Sequence, residues 1–345
     1  MTPLPTRRIG GTSLEVSVLG MGAAPLGNLY KPVSDEAAGE TLETALRLGI
    51  RYIDTAPYYG FGLSEQRVGA SIRSSTDVVV SSKVGRILRP ATQSEMSRQE
   101  RYGFVSPMPF EPEYDYSRHG VLRSFEASVR RLGRVDIAYV HDIGRRTHGE
   151  ADSHYRQQLI DGGGLEALSE LRRAGDVSAI GLGVNEIEVC LELMDAADLD
   201  VILLAGRYTL LEQGALDALF PRCLDAGTSI VVGGPFNSGI LAAGAAGAAN
   251  AHFDYGPVPA EVRERVAKLE AVCSAHDVPL PAAALQFPLG HPAVAAVIPG
   301  LADVAEVQAS ADFFHFSIPQ ALWDDLRSHR LIDERAPLPQ VGEVK

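Results

Sequence analysis

The sequence predicts an α/β protein: a closed (β/α)8 TIM barrel occupying residues 1–345 as one domain, with an N-terminal β-hairpin and long loops at its C-terminal face. Three observations predict it. Short β-branched runs alternate with longer helical patterns eight times along the chain. Strand candidates such as VILLA (201–205) and IVVGG (230–234) are apolar throughout, which requires burial on both faces and hence a parallel sheet covered by helices. No Pro- or Ser-rich linker divides the 345 residues, and barrels of this kind commonly reach such lengths as single domains.

The elements follow in order. TRRIGGTSLEV (6–16) reads as a hairpin turning at Gly10-Gly11. VSVLGMG (16–22) is the first strand, and 34–49 follows as a helix with a Ser34 cap, acids in its first turn and a closing glycine. RYID (51–54), a helix over 64–73 and the strand DVVVSSK (77–83) come next. The stretch 86–116 holds four prolines and no sustained periodicity, the mark of a long loop with a functional role. The alternation then resumes with helices over 117–133, 163–175, 186–197, 216–227, 262–276 and 303–314. Strands over 135–141, 177–184, 200–206, 228–234 and 293–300 lie between them. A Gly- and Ala-rich segment follows Pro235, and Trp323 marks the apolar face of a C-terminal helix.

With 31 basic and 44 acidic residues the net charge is −13. No basic patch is on hand to neutralise phosphates, so neither nucleic acid nor an anionic membrane is an expected partner. The longest uncharged run, 226–251, has the length of a membrane span, but Pro235, Asn237 and several glycines interrupt it. Cys190, Cys223 and Cys273 have neither disulfide nor zinc-site spacing and read as buried, reduced thiols. The opening MTPLPTRRIGGTSLEV lacks the apolar core of a secretion signal, so a cytoplasmic location is expected.

In such a barrel the reactive groups belong at the carboxyl ends of the strands. Reading those ends in order yields Asp54, Lys83, His141 and Asn185, more polar groups than capping and salt bridging would supply by chance. Tyr59 follows Asp54 by five residues. An ammonium beside a phenol favours the phenolate, so Lys83 is expected to lower the Tyr59 pKa from about 10, with Asp54 holding Lys83 charged and in place. His141, across the cavity, would hydrogen-bond the same substrate oxygen. Together these groups would move a proton to or from a carbonyl or hydroxyl oxygen.

These residues sit within IDTAPYYGFGLSEQRVG, SSKVGR and IAYVHD, which with AIGLGVNE, GGPFNSGIL and AVIPG resemble the aldo-keto reductases over nearly the whole chain. The resemblance implies a (β/α)8 barrel, a nicotinamide cofactor, direct hydride transfer, and Tyr59 as proton donor or acceptor. It further implies cofactor contacts at Asn185, Gly234, Pro235, Phe236, Ser238, Gly300 and Glu306, and substrate contacts at Tyr58, Phe104 and Phe236. Three positions depart from the family pattern. Val184 replaces a common serine before Asn185, Ala205 stands at a frequent glutamine, and Gly233 or Gly234 falls where an aromatic platform usually underlies the nicotinamide. After the last strand, NADP-using relatives carry cations for the 2′-phosphate. Here the corresponding residues are Gly300, Leu301 and Glu306, with no lysine or arginine between Pro299 and Phe316. Glu306 would repel a phosphate and accept from ribose hydroxyls, so NAD is the expected cofactor.

Within the family, the long loop ending in EYDYS (113–117), with LRSFEASVRRLGRVDIAYVHD and GPFNSGIL, is similar to members that oxidise a cyclic hemiacetal to a lactone. The expected small-molecule substrate is an aldose such as L-fucose, because 86–116 offers Ser, Gln, Arg, Glu and Tyr side chains to sugar hydroxyls. The alternative is pyridoxal, for which Tyr58, Phe104 and Phe236 would form an apolar slot. A barrel that only binds cofactor, as an idle regulatory subunit, would not need all of Asp54, Tyr59, Lys83 and His141. Two other motifs carry no site. GMGAAP (20–25) lacks the third glycine of a dinucleotide fingerprint, and HGEADSH (148–154) reads as a solvated loop, so no metal is expected.

Overall fold

The computed structural model describes residues 4–73, 75–249, 252–254 and 256–340. Eight strands form one parallel sheet in chain order: Met21–Gly22, Tyr52–Asp54, Val79–Val84, Ile137–His141, Ala179–Val184, Val201–Ala205, Ser229–Gly233 and Val294–Ile298. They are called strands one to eight below. Parallel bridges Leu19–Val297 and Gly22–Gly300 join the first to the last, with the Gly20 N–H donating to the Val297 carbonyl at 2.9 Å, so the sheet closes. Helices cover the outside, giving the expected (β/α)8 barrel.

Two cores follow from side chains alternating between the faces of a strand. Tyr52, Ile137, Tyr139, Ala179, Val201, Leu203, Val231 and Ala296 fill the barrel interior, where Ile9 and Val16 of the N-terminal hairpin join them. The outward-facing residues, among them Ile53, Ala138, Val140, Ile202 and Leu204, pack against the helices. Both faces are therefore apolar, which is why VILLA does not alternate. Trp323 is buried in helix Gln320–Ser328, as expected.

The structure departs from the sequence reading in three places. The run 16–22 serves two sheets: Glu15–Ser17 pairs antiparallel with Thr6–Arg8, and only Met21–Gly22 enters the barrel. The stretch 86–116 is folded into two antiparallel pairs, Arg86–Pro90 with Phe110–Tyr114 and Glu100–Arg101 with Phe104–Val105. Its prolines and the shortness of these strands hide the period of two. HGEADSH is helical rather than a loop, within Arg145–His148, Gly149–Ala151 and Asp152–Ile160; it is mostly exposed, as expected, but His148 accepts or donates at 3.0 Å with the Tyr116 hydroxyl.

All three cysteines are free and buried, and burial pushes the Cys223 and Cys273 thiols up to about 12. Among the described residues no helix is long and apolar enough to cross a membrane, and no cluster of His, Cys, Asp and Glu is placed to hold a metal ion.

Candidate active site

Period-two alternation delivers the site. Tyr52 and Asp54 on strand two, Ser81 and Lys83 on strand three, and Tyr139 and His141 on strand four share the interior face, and the later of each pair reaches the C-terminal mouth. Asp54 Oδ2 accepts from Lys83 Nζ at 2.6 Å and its Oδ1 from Ser81 Oγ at 2.7 Å. Lys83 Nζ donates further to the Thr55 carbonyl at 2.9 Å and to Tyr59 Oη at 3.1 Å. Its three protons are thus taken up while Lys83 and Asp54 are only 2% and 3% exposed, the condition under which a buried ion pair is tolerated.

Tyr59 opens a tight turn in which Gly60, Phe61 and Gly62 take left-handed dihedrals, with φ of 63°, 57° and 99°. The glycines adopt them freely. Phe61 does not, and it is held there by burial, by Phe104 and Tyr102, and by the Arg101 guanidinium 4.7 Å from its ring centre.

Titration at the site corrects one expectation. Burial, then the charges of Asp54 and Asp142, hold the Tyr59 phenol well above its ordinary range, with Arg86 opposing them. Lys83 does not win because Asp54 already neutralises it at 2.6 Å, so a phenolate would form in a dry pocket beside two carboxylates. Burial also raises the Asp54 carboxyl, against the pull of Lys83 and Ser81. His141 lies well below its ordinary value because burial, Arg86 and Lys83 all disfavour imidazolium.

An aromatic wall flanks these groups. The His141 ring meets Tyr59 with centroids 5.9 Å apart at 88° and Tyr58 at 6.0 Å and 78°. Tyr58 stands edge-on to Phe104 at 5.5 Å, and Phe104 lies 6.4 Å from Tyr59. Tyr58 and Phe104, two of the expected substrate contacts, thus stand together beside Tyr59. Phe236, the third, lies apart from them: half-buried, it packs against the outer core and makes no ring contact with this wall among the described residues. Some of the polar side chains of 86–116 bond with one another. Arg101 donates to Glu111 and to the Phe110 and Met108 carbonyls, Tyr102 donates to Glu111, and Arg89 pairs with Glu95 and Glu113.

On the opposite side of the mouth the strand ends carry glycines. Strands six and seven run out into Gly206, Gly233 and Gly234, and a Cβ added at Gly234 would meet nothing closer than the Gly206 nitrogen at 3.9 Å. Asn185 lies beside this floor: its carbonyl accepts from Arg207 Nε at 2.7 Å, while its side-chain amide makes no hydrogen bond among the described residues. The turn beyond Pro235 places Asn237 and the exposed Ser238 at φ of 46° and 57°, and Asn237 ties it to Thr209 and Gly206. A flat, open floor next to a carboxamide fits a nicotinamide ring. After strand eight, Gly300 is exposed. Glu306 Oε2 accepts from the Ala302 N–H at 2.6 Å and the Glu306 N–H donates to Asp303 Oδ1, a reciprocal cap on helix Val304–His315. One oxygen of Glu306 is therefore committed to its own loop. Lys31, from the strand-one loop, stands 3.5 Å from Asp303 and 3.9 Å from Glu306, bringing a cation to a segment that has no lysine or arginine of its own.

The structure adds residues the sequence reading missed. Ser81 was discoverable, two positions before Lys83 on the same strand face. Arg86 and Asp142 adjoin motif residues but carry no signal of what they touch. Tyr116, whose hydroxyl donates to the His141 carbonyl at 2.7 Å, had no local signal at all.

The aldo/keto reductase family model matches residues 18–331. The chain is 42% identical over 335 residues to pyridoxal 4-dehydrogenase of Microbacterium luteolum, covering 94% of this chain and 97% of that one. It is 39% identical over 324 residues to D-threo-aldose 1-dehydrogenase of a Pseudomonas species, covering 92% and 95%. The holo form of an aldo-keto reductase from Bacillus halodurans superposes with a TM-score of 0.71 at 22% identity, over 98% of both chains, a likeness of fold. The chain belongs to the aldo/keto reductase family of oxidoreductases, which use a nicotinamide cofactor.

Proposed function

We propose that this chain oxidises the carbinol of a cyclic hemiacetal to a lactone with NAD, and that its substrate carries a flat aromatic ring, as pyridoxal does. The observation that carries the reaction is Lys83 Nζ bridging Asp54 and Tyr59 at the barrel mouth, with the His141 ring against Tyr59. When bound, the nicotinamide supplies the acceptor for the substrate's hydride; Asn185, the glycine floor, Pro235, Phe236 and Ser238 would hold it. The chain's own residues handle the proton. Tyr59 Oη takes it from the substrate hydroxyl, having first lost its own, and Lys83 at 3.1 Å steadies the phenolate. Neutral His141 donates a hydrogen bond to the same oxygen. Tyr58 and Phe104 exclude water and orient the ring.

One observation supports the aromatic substrate, the wall of Tyr58 and Phe104 beside Tyr59; the mutual pairing of Arg101, Tyr102 and Glu111 also withdraws those three groups from sugar hydroxyls. A second reading, oxidation of an aldose such as L-fucose at its anomeric carbon, is favoured by the Arg86–Asp142 pair next to His141, a donor and an acceptor within reach of a hydroxyl. NADH absorbance with pyridoxal, L-fucose and other aldoses tests both. A kcat/KM for pyridoxal at least about tenfold above every aldose supports the first reading, and the reverse ranking the second. Cofactor binding with turnover of none of them overturns both.

A further inference from the structure

We propose that Asp142, pinned by Arg86, is a positioning residue that fixes His141 as its Nε2–H tautomer, so that the ring presents a donor to the substrate oxygen. Successive side chains on a strand point to opposite faces; with His141 facing the interior, its neighbour should face away. Asp142 does not. At φ 43° it takes a left-handed conformation, and its Oδ2 lies 3.4 Å from His141 Nε2. Such a conformation is uncommon for a residue with a Cβ, though Asp is among those that take it most readily.

Arg86 meets the carboxylate in that position. Its Nη2 donates to the same Oδ2 at 2.6 Å, and the Asp142 N–H donates to the Gly183 carbonyl at 2.8 Å. The guanidinium is itself 4% exposed, with the Tyr58 ring centre 4.1 Å away and that of Tyr114 at 5.3 Å. Arg86 therefore holds the carboxylate while the bond to Gly183 holds the backbone that bears it. Because one oxygen is shared, Arg86 Nη2 and His141 Nε2 lie no more than 6.0 Å apart, the sum of the two contacts.

The tautomer follows from the partners of the two ring nitrogens. His141 is 4% exposed, and its Nδ1 is buried with no hydrogen-bond partner. A neutral imidazole carries a single N–H. Placed on Nδ1, it would be a buried donor without an acceptor, and the bare Nε2 lone pair would face a carboxylate oxygen. Placed on Nε2, it removes both penalties. At 3.4 Å the contact with Asp142 is too long to engage that N–H fully, so it remains available to the substrate. The Arg86 cation, with burial, also keeps the ring uncharged.

The inference rests on His141 being the donor to the substrate oxygen, but its decisive readout needs no substrate. Enzyme carrying ¹⁵N-labelled histidine is examined at neutral pH, with the His141 signals identified by their loss in His141→Gln. The wild type is expected to show Nε2 protonated and Nδ1 bare in about nine-tenths or more of molecules. Asp142→Ala should show both tautomers, and Asp142→Asn, which keeps an acceptor, should restore the wild-type signal. On whichever substrate is turned over, Asp142→Ala should lower kcat about ten- to a hundredfold while cofactor affinity is unchanged. An Nδ1–H in the wild type, or unmoved signals in Asp142→Ala, overturns the proposal. Should Asp142→Ala fail to fold, Arg86→Met replaces it, with the same mixed tautomers expected and the same unmoved signals overturning.

Discussion

Gly27 and Gly60 pack backbone against backbone: a Cβ added at Gly60 would lie 2.4 Å from the Gly27 carbonyl oxygen, and one at Gly27 would lie 2.7 Å from the Gly60 nitrogen. The contact clamps the turn that bears Tyr59 onto the loop after strand one. Gly60 is also at φ 63°. Gly60→Ala is therefore expected to destabilise the fold by roughly 1–3 kcal/mol and to lower activity further by displacing Tyr59. Thermal unfolding and kcat on the same preparation check this, and an unchanged Tm would mean that the turn yields without cost.

Tyr59→Phe is expected to lose about 10²–10⁴-fold in turnover, the usual contribution of a positioned proton-transfer group. Cofactor affinity, followed by fluorescence titration, should stay at the wild-type value because the phenol faces Lys83 rather than the glycine floor. A variant retaining more than about a tenth of wild-type activity would remove Tyr59 from this role.

The pH dependence has a definite sign. Oxidation needs Tyr59 deprotonated, and burial with Asp54 and Asp142 raises its pKa, so the oxidation rate should climb with pH through the neutral and into the alkaline range. Lys83→Met removes the cation that hydrogen-bonds the phenol and should move the rising limb to higher pH. Asp54→Asn removes a charge that opposes the phenolate and should move it lower. Each shift is expected to be about one unit or more, and it belongs to the coupled group rather than to one residue. Limbs that stay in place in both variants would show that another group controls the profile.

Preference for NAD over NADP is expected in kcat/KM, because by the family resemblance Asp303 and Glu306 would face a 2′-phosphate, which needs cations. Lys31 is held by those same acids. Glu306→Gln keeps an acceptor for the Ala302 N–H but removes one charge, so it should narrow the preference by about tenfold, and Lys31→Met added to it should restore the gap. Equal use of the two cofactors by the wild type would show that the phosphate is held elsewhere.

Phe104→Ser should raise KM for pyridoxal several-fold with little change in kcat, since it removes apolar contact shared by ground and transition states. Steady-state kinetics decide the point, and a fall in kcat at constant KM would instead place Phe104 against the reacting atoms.

The sequence by itself determined the barrel and the placing of three candidate groups at its mouth, for a physical reason: both are written in short-range periodicity. Eight alternations of strand and helix leave few closed arrangements. Within a strand the period of two places Asp54, Lys83 and His141 on one interior face whatever surrounds them. The tertiary structure alone decided what acts between segments distant along the chain. Lys31 reaches Glu306 from the other end of the chain, and Arg86 meets Asp142 across 56 residues. Within the loop 86–116, Arg101 and Tyr102 both turn to Glu111. Local sequence carries no record of such pairings, and none of burial either. The Tyr59 phenol is raised instead of lowered because burial and the charges of Asp54 and Asp142 disfavour the phenolate, while the lysine beside it is already paired with Asp54.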